Sequence, residues 1–167
     1  MRKKMILATA FVLYTALMLW LLFFQSARIP DYGMAEYWHQ LSKNFNLEPF
    51  RTVGNYLDIL LRKAYYLDKW GDAGRYAYEA RHAVINLGGN VGMFIPLGFF
   101  LPAVFPKLRK LWKTALASAA IVCTVELLQL FSLLGNCDVD DLILNIVGVA
   151  IGYGIFALLL KMKKEPA

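Results

Sequence analysis

Glu126 stands inside an otherwise apolar run, Thr114 to Leu134, with Gln129 one helical turn further on. A charged acid near the centre of a membrane-length helix costs roughly 2.5–3.5 kcal/mol on insertion scales, so such residues face a protein interior or a wet cavity. Asp138, Asp140 and Asp141 follow closely, with Asn145 one turn after Asp141, and earlier in the chain Asn86 and Asn90 lie behind Arg81 and His82. These residue types can hydrogen-bond a polar head group. A desolvated Glu126 could also act as a general acid or base, with Asp138 and Asp141 orienting water or holding a divalent cation. Arg81 has the shape of a phosphate or carboxylate clamp and equally of an interfacial anchor. His82 reads as a surface residue at the mouth of the group, or as a ligand or base. One of the three aspartates is needed to cap the helix that follows them.

Spacing says how these side chains are held together. Asn86 and Asn90 are four residues apart, Glu126 and Gln129 three, Asp141 and Asn145 four, so each pair shares one helix face. Gly148 and Gly152 continue the stripe from Asn145, a small-residue pattern that packs helices together. The polar stripe is therefore also the packing stripe. At 1.5 Å of rise per residue, Asn145 lies about 6 Å and Glu126 roughly 12 Å from the outer ends of their helices, with Asn86 and Asn90 in the opening turn or so of theirs. The expected result is a polar pocket in the outer leaflet, opening outward.

The elements are membrane spans. The 167 residues are 59% hydrophobic and only 18% charged, above the apolar share of soluble domains. Four stretches approach the roughly 20 residues a spanning helix needs, about 5–24, 86–105, 114–134 and 141–160. The net charge of +6 gathers at span ends. Arg2, Lys3 and Lys4 precede the first span, Lys107, Arg109, Lys110 and Lys113 join the second to the third, and Lys161, Lys163 and Lys164 follow the fourth. That distribution argues against nucleic acid as a partner and places both termini in the cytoplasm. It also suits anionic lipid headgroups. The first span reads as an uncleaved signal anchor, with no A-x-A-like site before Gln25-Ser26-Ala27-Arg28. Cys123 and Cys137, taken along a continuous helix, would lie about 20 Å apart, too far for a disulfide.

The loop 25–85 carries seven of the nine tyrosines. Met34, Tyr37, Trp38, Leu41 and Phe45 fall at helical spacing, as do Val53, Tyr56, Leu57, Leu60 and Leu61. Pro30, Pro49 and the turn Trp70-Gly71-Asp72 divide it. Amphipathic helices rich in Tyr and Trp suit the headgroup layer, so this region is expected to roof the pocket as a lid or to pack over the bundle. The second span carries Gly88, Gly89, Gly92 and Gly98 with Pro96, a composition that kinks a helix and lets neighbours close in. The sequence has no G-x-S-x-G, no H-E-x-x-H and no phosphate-binding glycine loop ending in Lys-Ser/Thr.

The segments Asn86-Leu87-Gly88-Gly89-Asn90 through Pro96-Leu97-Gly98-Phe99, Glu126-x-x-Gln129 and Asp138-Val139-Asp140-Asp141 through Asn145, Gly148 and Gly152-Tyr153 resemble the VanZ-like family in their order. Asn46-Leu47-Glu48-Pro49-Phe50 is similar to a short family segment. The resemblance implies an all-α, four-span bacterial envelope protein in the cytoplasmic membrane, one VanZ-like domain over 1–167, associated with resistance to teicoplanin-type lipoglycopeptides. Family members often carry an Arg in the turn where this chain has Asn136, so the resemblance asks whether Arg81 or a divalent cation neutralises the acids here. Two functions follow. In the first, the protein binds an amphiphile, a lipid-linked wall precursor or a lipoglycopeptide, through Arg81, His82, Asn86, Asn90, Glu126, Gln129, Asp141 and Asn145. In the second, it is an intramembrane enzyme that modifies a lipid or lipid-linked head group, with Glu126 as acid or base and Asp138 and Asp141 in support. Neither reading fixes an oligomeric state.

Overall fold

The computed structural model describes residues 2–23 and 33–163; Phe24, the Gln25–Arg28 stretch, Pro30 and Lys164 lie outside the described residues. Helix α1 (Arg2–Phe23) is followed by α2 (Met34–Lys43), a two-residue strand β1 (Phe45–Asn46), α3 (Arg51–Leu61) and α4 (Lys63–Trp70). Then come α5 (Ala73–Val104), a 3-10 turn Pro106–Leu108, α6 (Leu111–Ser132), strand β2 (Cys137–Asp138) and α7 (Val139–Met162). Four of these, α1, α5, α6 and α7, are long and apolar enough to cross a membrane. The fold is all-helical apart from the short parallel pairing of β1 with β2.

The second span departs from expectation. It starts at Ala73, not near residue 86, and runs for 32 residues. Gly71, in the left-handed conformation at φ 61°, ends α4, and the Asp72 carboxylate accepts hydrogen bonds from the N–H groups of Gly74 and Arg75 at 2.8 and 3.1 Å. That N-cap opens a helix through Arg75, Tyr76, Glu79 and Arg81, whose polar character hides it from a hydropathy window. At 1.5 Å per residue α5 is about 48 Å long, against a hydrocarbon core of about 30 Å. Its opening turns therefore extend beyond the apolar layer. Asn86 and Asn90 sit in its interior, and Arg81 and His82 are on the helix, not ahead of it.

Helices α5 and α7 form the most extensive packing pair. They touch backbone to backbone: a Cβ on Gly152 would come within 1.9 Å of the Ile95 carbonyl oxygen, one on Gly148 within 2.1 Å of Val91 O, and one on Gly98 within 2.0 Å of Val149 O. The Gly148 and Gly152 stripe is the seam its spacing predicts. Gly88, Gly89 and Gly92, by contrast, face open space, so of the four α5 glycines 88, 89, 92 and 98 it is Gly98 that takes part in the close approach. The adjoining core is Met18, Phe94, Leu97, Leu101, Val122 and Val149. Helix α1 leans on α5 through Phe11 and Tyr14 against Phe100, with ring centroids 5.8 and 5.9 Å apart. The Tyr14 hydroxyl donates to the Met93 carbonyl at 2.8 Å.

The described residues between α1 and α5, 33–72, are mostly helical, as expected. Helix α2 stops at Lys43, earlier than the Phe45 its spacing implies, because Phe45 and Asn46 pair with Cys137 and Asp138.

Candidate functional site

A cavity of about 420 Å³ lies where α3, α5, α6 and α7 meet. Helix α5 contributes His82, Asn86 and Asn90, α6 contributes Glu126 and Gln129, and α7 contributes Asp141 and Asn145 with Asp138 at its cap. Thr52 and Tyr56 of α3 close over it, and Phe94, Val125 and Leu22 supply apolar wall. Each pair expected to share a helix face does face this space. Arg81 does not: it is exposed and is not among the lining residues. One helical residue separates about 100° of rotation, so the helix that points His82 inward turns Arg81 away.

Glu126 and Asn145 are buried, 7% and 2% exposed. The Asn145 amide donates to Glu126 Oε1 at 3.4 Å. Glu126 Oε2 and Asn145 Oδ1, both buried, have no hydrogen-bond partner among the described residues. Buried polar atoms in native structures are nearly always paired, so two such oxygens together mark a place for a ligand or water. Asn90 donates to Asp141 Oδ1. Gln129 uses its amide to bond the Leu22 carbonyl at 3.3 Å, tying the last turn of α1 to α6. Asn86 donates to the His82 carbonyl at 2.9 Å, and the His82 ring lies 6.0 Å from Tyr56 and 6.2 Å from Tyr78. Burial, and then the carboxyl groups of Asp141, Asp138 and Glu79, raise the Tyr56 phenol above its ordinary range, so at neutral pH it remains an O–H donor.

The three aspartates divide their work. Asp138 caps α7, accepting from the Asp140 N–H at 2.8 Å, while its other oxygen accepts from Thr52 Oγ1 at 2.6 Å and Asn46 Nδ2 at 3.1 Å. Asp140 is fully buried and serves a different helix, accepting at the start of α3 from the N–H groups of Phe50 at 2.5 Å and Val53 at 2.9 Å. Phe50 holds a left-handed backbone at φ 64° there, a conformation that persists in a bulky residue only where its surroundings enforce it. Asp138 and Asp141 both line the cavity, Asp138 with each oxygen already engaged and Asp141 held by Asn90. Backbone, amide and hydroxyl donors thus meet the acid cluster, and Arg81 is not among them. Among the described residues no group of three or more His, Cys, Asp or Glu is placed to hold a metal.

Cys123 and Cys137 are closer than a continuous helix would put them. After Leu133, at φ 55°, the chain turns back so that Cys137 joins β1, and both cysteines line one apolar groove as free thiols. Sequence spacing also missed Asn46, Thr52, Tyr56 and Asn136 as neighbours of the acids. The family-like segment at Asn46 was the available sign.

With this geometry in hand, the comparisons with known proteins are specific. The VanZ/LLP1 family model matches residues 11–160. The protein named Protein VanZ of Enterococcus faecium is 24% identical over 146 residues, which cover 87% of this chain and 70% of that protein. No solved structure matches the chain.

Proposed function

The chain belongs to the VanZ/LLP1 family, and from that premise we propose that this multi-pass membrane protein is a bacterial envelope factor that seats the polar head of an amphiphile in its cavity and so modulates susceptibility to teicoplanin-type glycopeptides. The amphiphile is a lipid-linked wall precursor or the lipoglycopeptide itself. One observation carries this reading: Glu126 Oε2 and Asn145 Oδ1 are buried without partners at the wall of a cavity that also holds Asn86, Asn90 and Asp141. A head group rich in hydroxyl, amide or ammonium donors would satisfy both oxygens. Asp141 is also open to a divalent cation carried with a phosphate-bearing head, which magnesium or calcium added to the binding assay tests.

The same reading orients the molecule. The basic residues near the start of α1, between α5 and α6 and after α7 favour the cytoplasmic side, which puts α2, α3, α4 and the cavity toward the outside and within reach of wall precursors.

The experiment is native mass spectrometry of gently extracted protein. A co-purifying wall-precursor lipid that is lost in Glu126→Gln, together with lowered teicoplanin tolerance in cells expressing that variant at normal levels, supports the reading. Unchanged tolerance in both Glu126→Gln and Asp141→Asn strains would remove it.

A second reading, an enzyme acting on a lipid-linked head group, draws on the carboxyl groups of Glu126, Asp138 and Asp141, which share this cavity with His82 at its wall. They could divide the acid and base roles. Wall-precursor lipids recovered unchanged after incubation with purified protein, with and without magnesium, would eliminate it.

A further inference from the structure

On the far side of Glu126 and Asp138 lies a second hollow of different character. It is a groove of about 260 Å³ whose walls are otherwise Leu47, Cys123, Leu127, Cys137, Val139 and Leu142. Glu126 and Asp138 line both spaces, so a single layer of side chain separates the polar cavity from the apolar groove. Leu47 and Leu127, 70% and 49% exposed, stand at its margin, so the groove opens sideways between α6 and α7. We propose that this groove seats the hydrocarbon chain of the same amphiphile whose head occupies the polar cavity, with Glu126 at the junction of head and chain.

Three observations fix the occupant as a chain. The lining offers nothing to a polar group beyond the two residues it shares with the cavity. Its volume equals a cube roughly 6 Å on a side, too narrow for a helix about 10 Å across. It lies one side chain from a polar site, across Glu126 and Asp138, so a head in the cavity and a chain in the groove can belong to one molecule. The inference rests on the head-group reading of the cavity.

The groove carries its own reporters, Cys123 and Cys137. The Cys137 thiol is raised above its ordinary range by burial and by Glu126, Asp138 and Cys123, so it alkylates slowly, and its rate is compared between arms at one fixed pH. Wild-type protein in amphipol is treated with N-ethylmaleimide alone, with palmitoyl lysophosphatidylglycerol or with teicoplanin. The controls are glycerophosphoglycerol and deacylated teicoplanin, which keep the heads and lack the chains. Native mass spectra record binding in each arm. At about ten times its Kd, a chain-bearing probe is expected to slow modification of both cysteines roughly tenfold by mass action, while its chainless control leaves the rate unchanged. Whichever of the two probes protects identifies the source of the chain. Leu127→Trp, which fills the groove from its exposed edge, is expected to weaken that probe's binding by a similar factor. Adducts that form, and are lost in Asn90→Leu, without slowing either cysteine would overturn the groove and leave the cavity reading standing. Absence of any adduct would overturn both.

Discussion

Asn145 of α7 reaches across to Glu126 of α6, its amide nitrogen 3.4 Å from Oε1, and each side chain keeps one oxygen, Asn145 Oδ1 and Glu126 Oε2, buried without a partner among the described residues. Removing one member should cost more than removing both. Asn145→Leu strips Glu126 of its donor and is expected to destabilise the protein by about 1–3 kcal/mol, the penalty of an orphaned buried polar group. The double variant Asn145→Leu/Glu126→Leu should recover much of that loss, since two apolar replacements leave nothing unpaired. Thermal unfolding in amphipol followed by tryptophan fluorescence gives the cycle. Strictly additive effects would mean the two side chains are not coupled.

Asp140 ties α3 to the start of α7 through the N–H groups of Phe50 and Val53. Asp140→Ala is expected to cost about 1–2 kcal/mol, the scale of a lost helix cap. The damage should be local. Hydrogen exchange should quicken over 50–54, where the freed N–H groups lie, and Thr52 and Tyr56 should loosen over the cavity, while α7, capped by Asp138, stays protected. Protection unchanged at Val53 would refute this role.

The spans were legible because each is an apolar run of membrane length, and the polar faces were legible because helical spacing alone brings Asn86 with Asn90, Glu126 with Gln129 and Asp141 with Asn145. What failed has physical causes. Hydropathy reports how thick an apolar layer a helix crosses, not where the helix begins, so the polar first turns of α5 give no signal there, and Arg81, expected among the binding residues, lies on the helix and off the cavity. An acid before a helix announces a cap but not whose: Asp140 caps a helix that begins 89 residues earlier, at Arg51. The pairing of Asn46 with Asp138 spans two-residue strands, too short to leave a periodic signal. Nor does spacing show that Leu133 turns the chain back toward Cys123.

The α5–α7 seam sorts the glycines into two classes. At Gly98, Gly148 and Gly152 a methyl group would lie about 2 Å from a carbonyl oxygen of the facing helix, so Gly→Ala there must push the backbones apart. Each such change is expected to abolish a monodisperse peak in fluorescence-detected size-exclusion chromatography, or to lower the melting temperature by many degrees. Gly88→Ala, Gly89→Ala and Gly92→Ala meet open space and should leave both measurements nearly unchanged. Equal damage from the two groups would mean that α5 and α7 are not packed through this seam.

The proposed orientation has a direct consequence for accessibility. Asp68 on α4 and Lys110 just before α6 are both exposed, and they sit on opposite sides of the bundle, since α5 runs from one to the other. With Cys123 and Cys137 replaced by Ser, Asp68→Cys should react with a membrane-impermeant maleimide in intact cells, whereas Lys110→Cys should react only after permeabilisation. The reason is charge: Lys107, Arg109, Lys110 and Lys113 gather on one short connection, and such clusters are retained on the cytoplasmic side. The polar cavity is lined by α3 and by the turn between α6 and α7, on the side of the bundle where α5 begins, so the same result decides which leaflet supplies its ligand. Labelling of Lys110→Cys from outside would invert the protein and turn the cavity toward the cytoplasm, where neither an extracellular glycopeptide nor a translocated wall precursor could reach it.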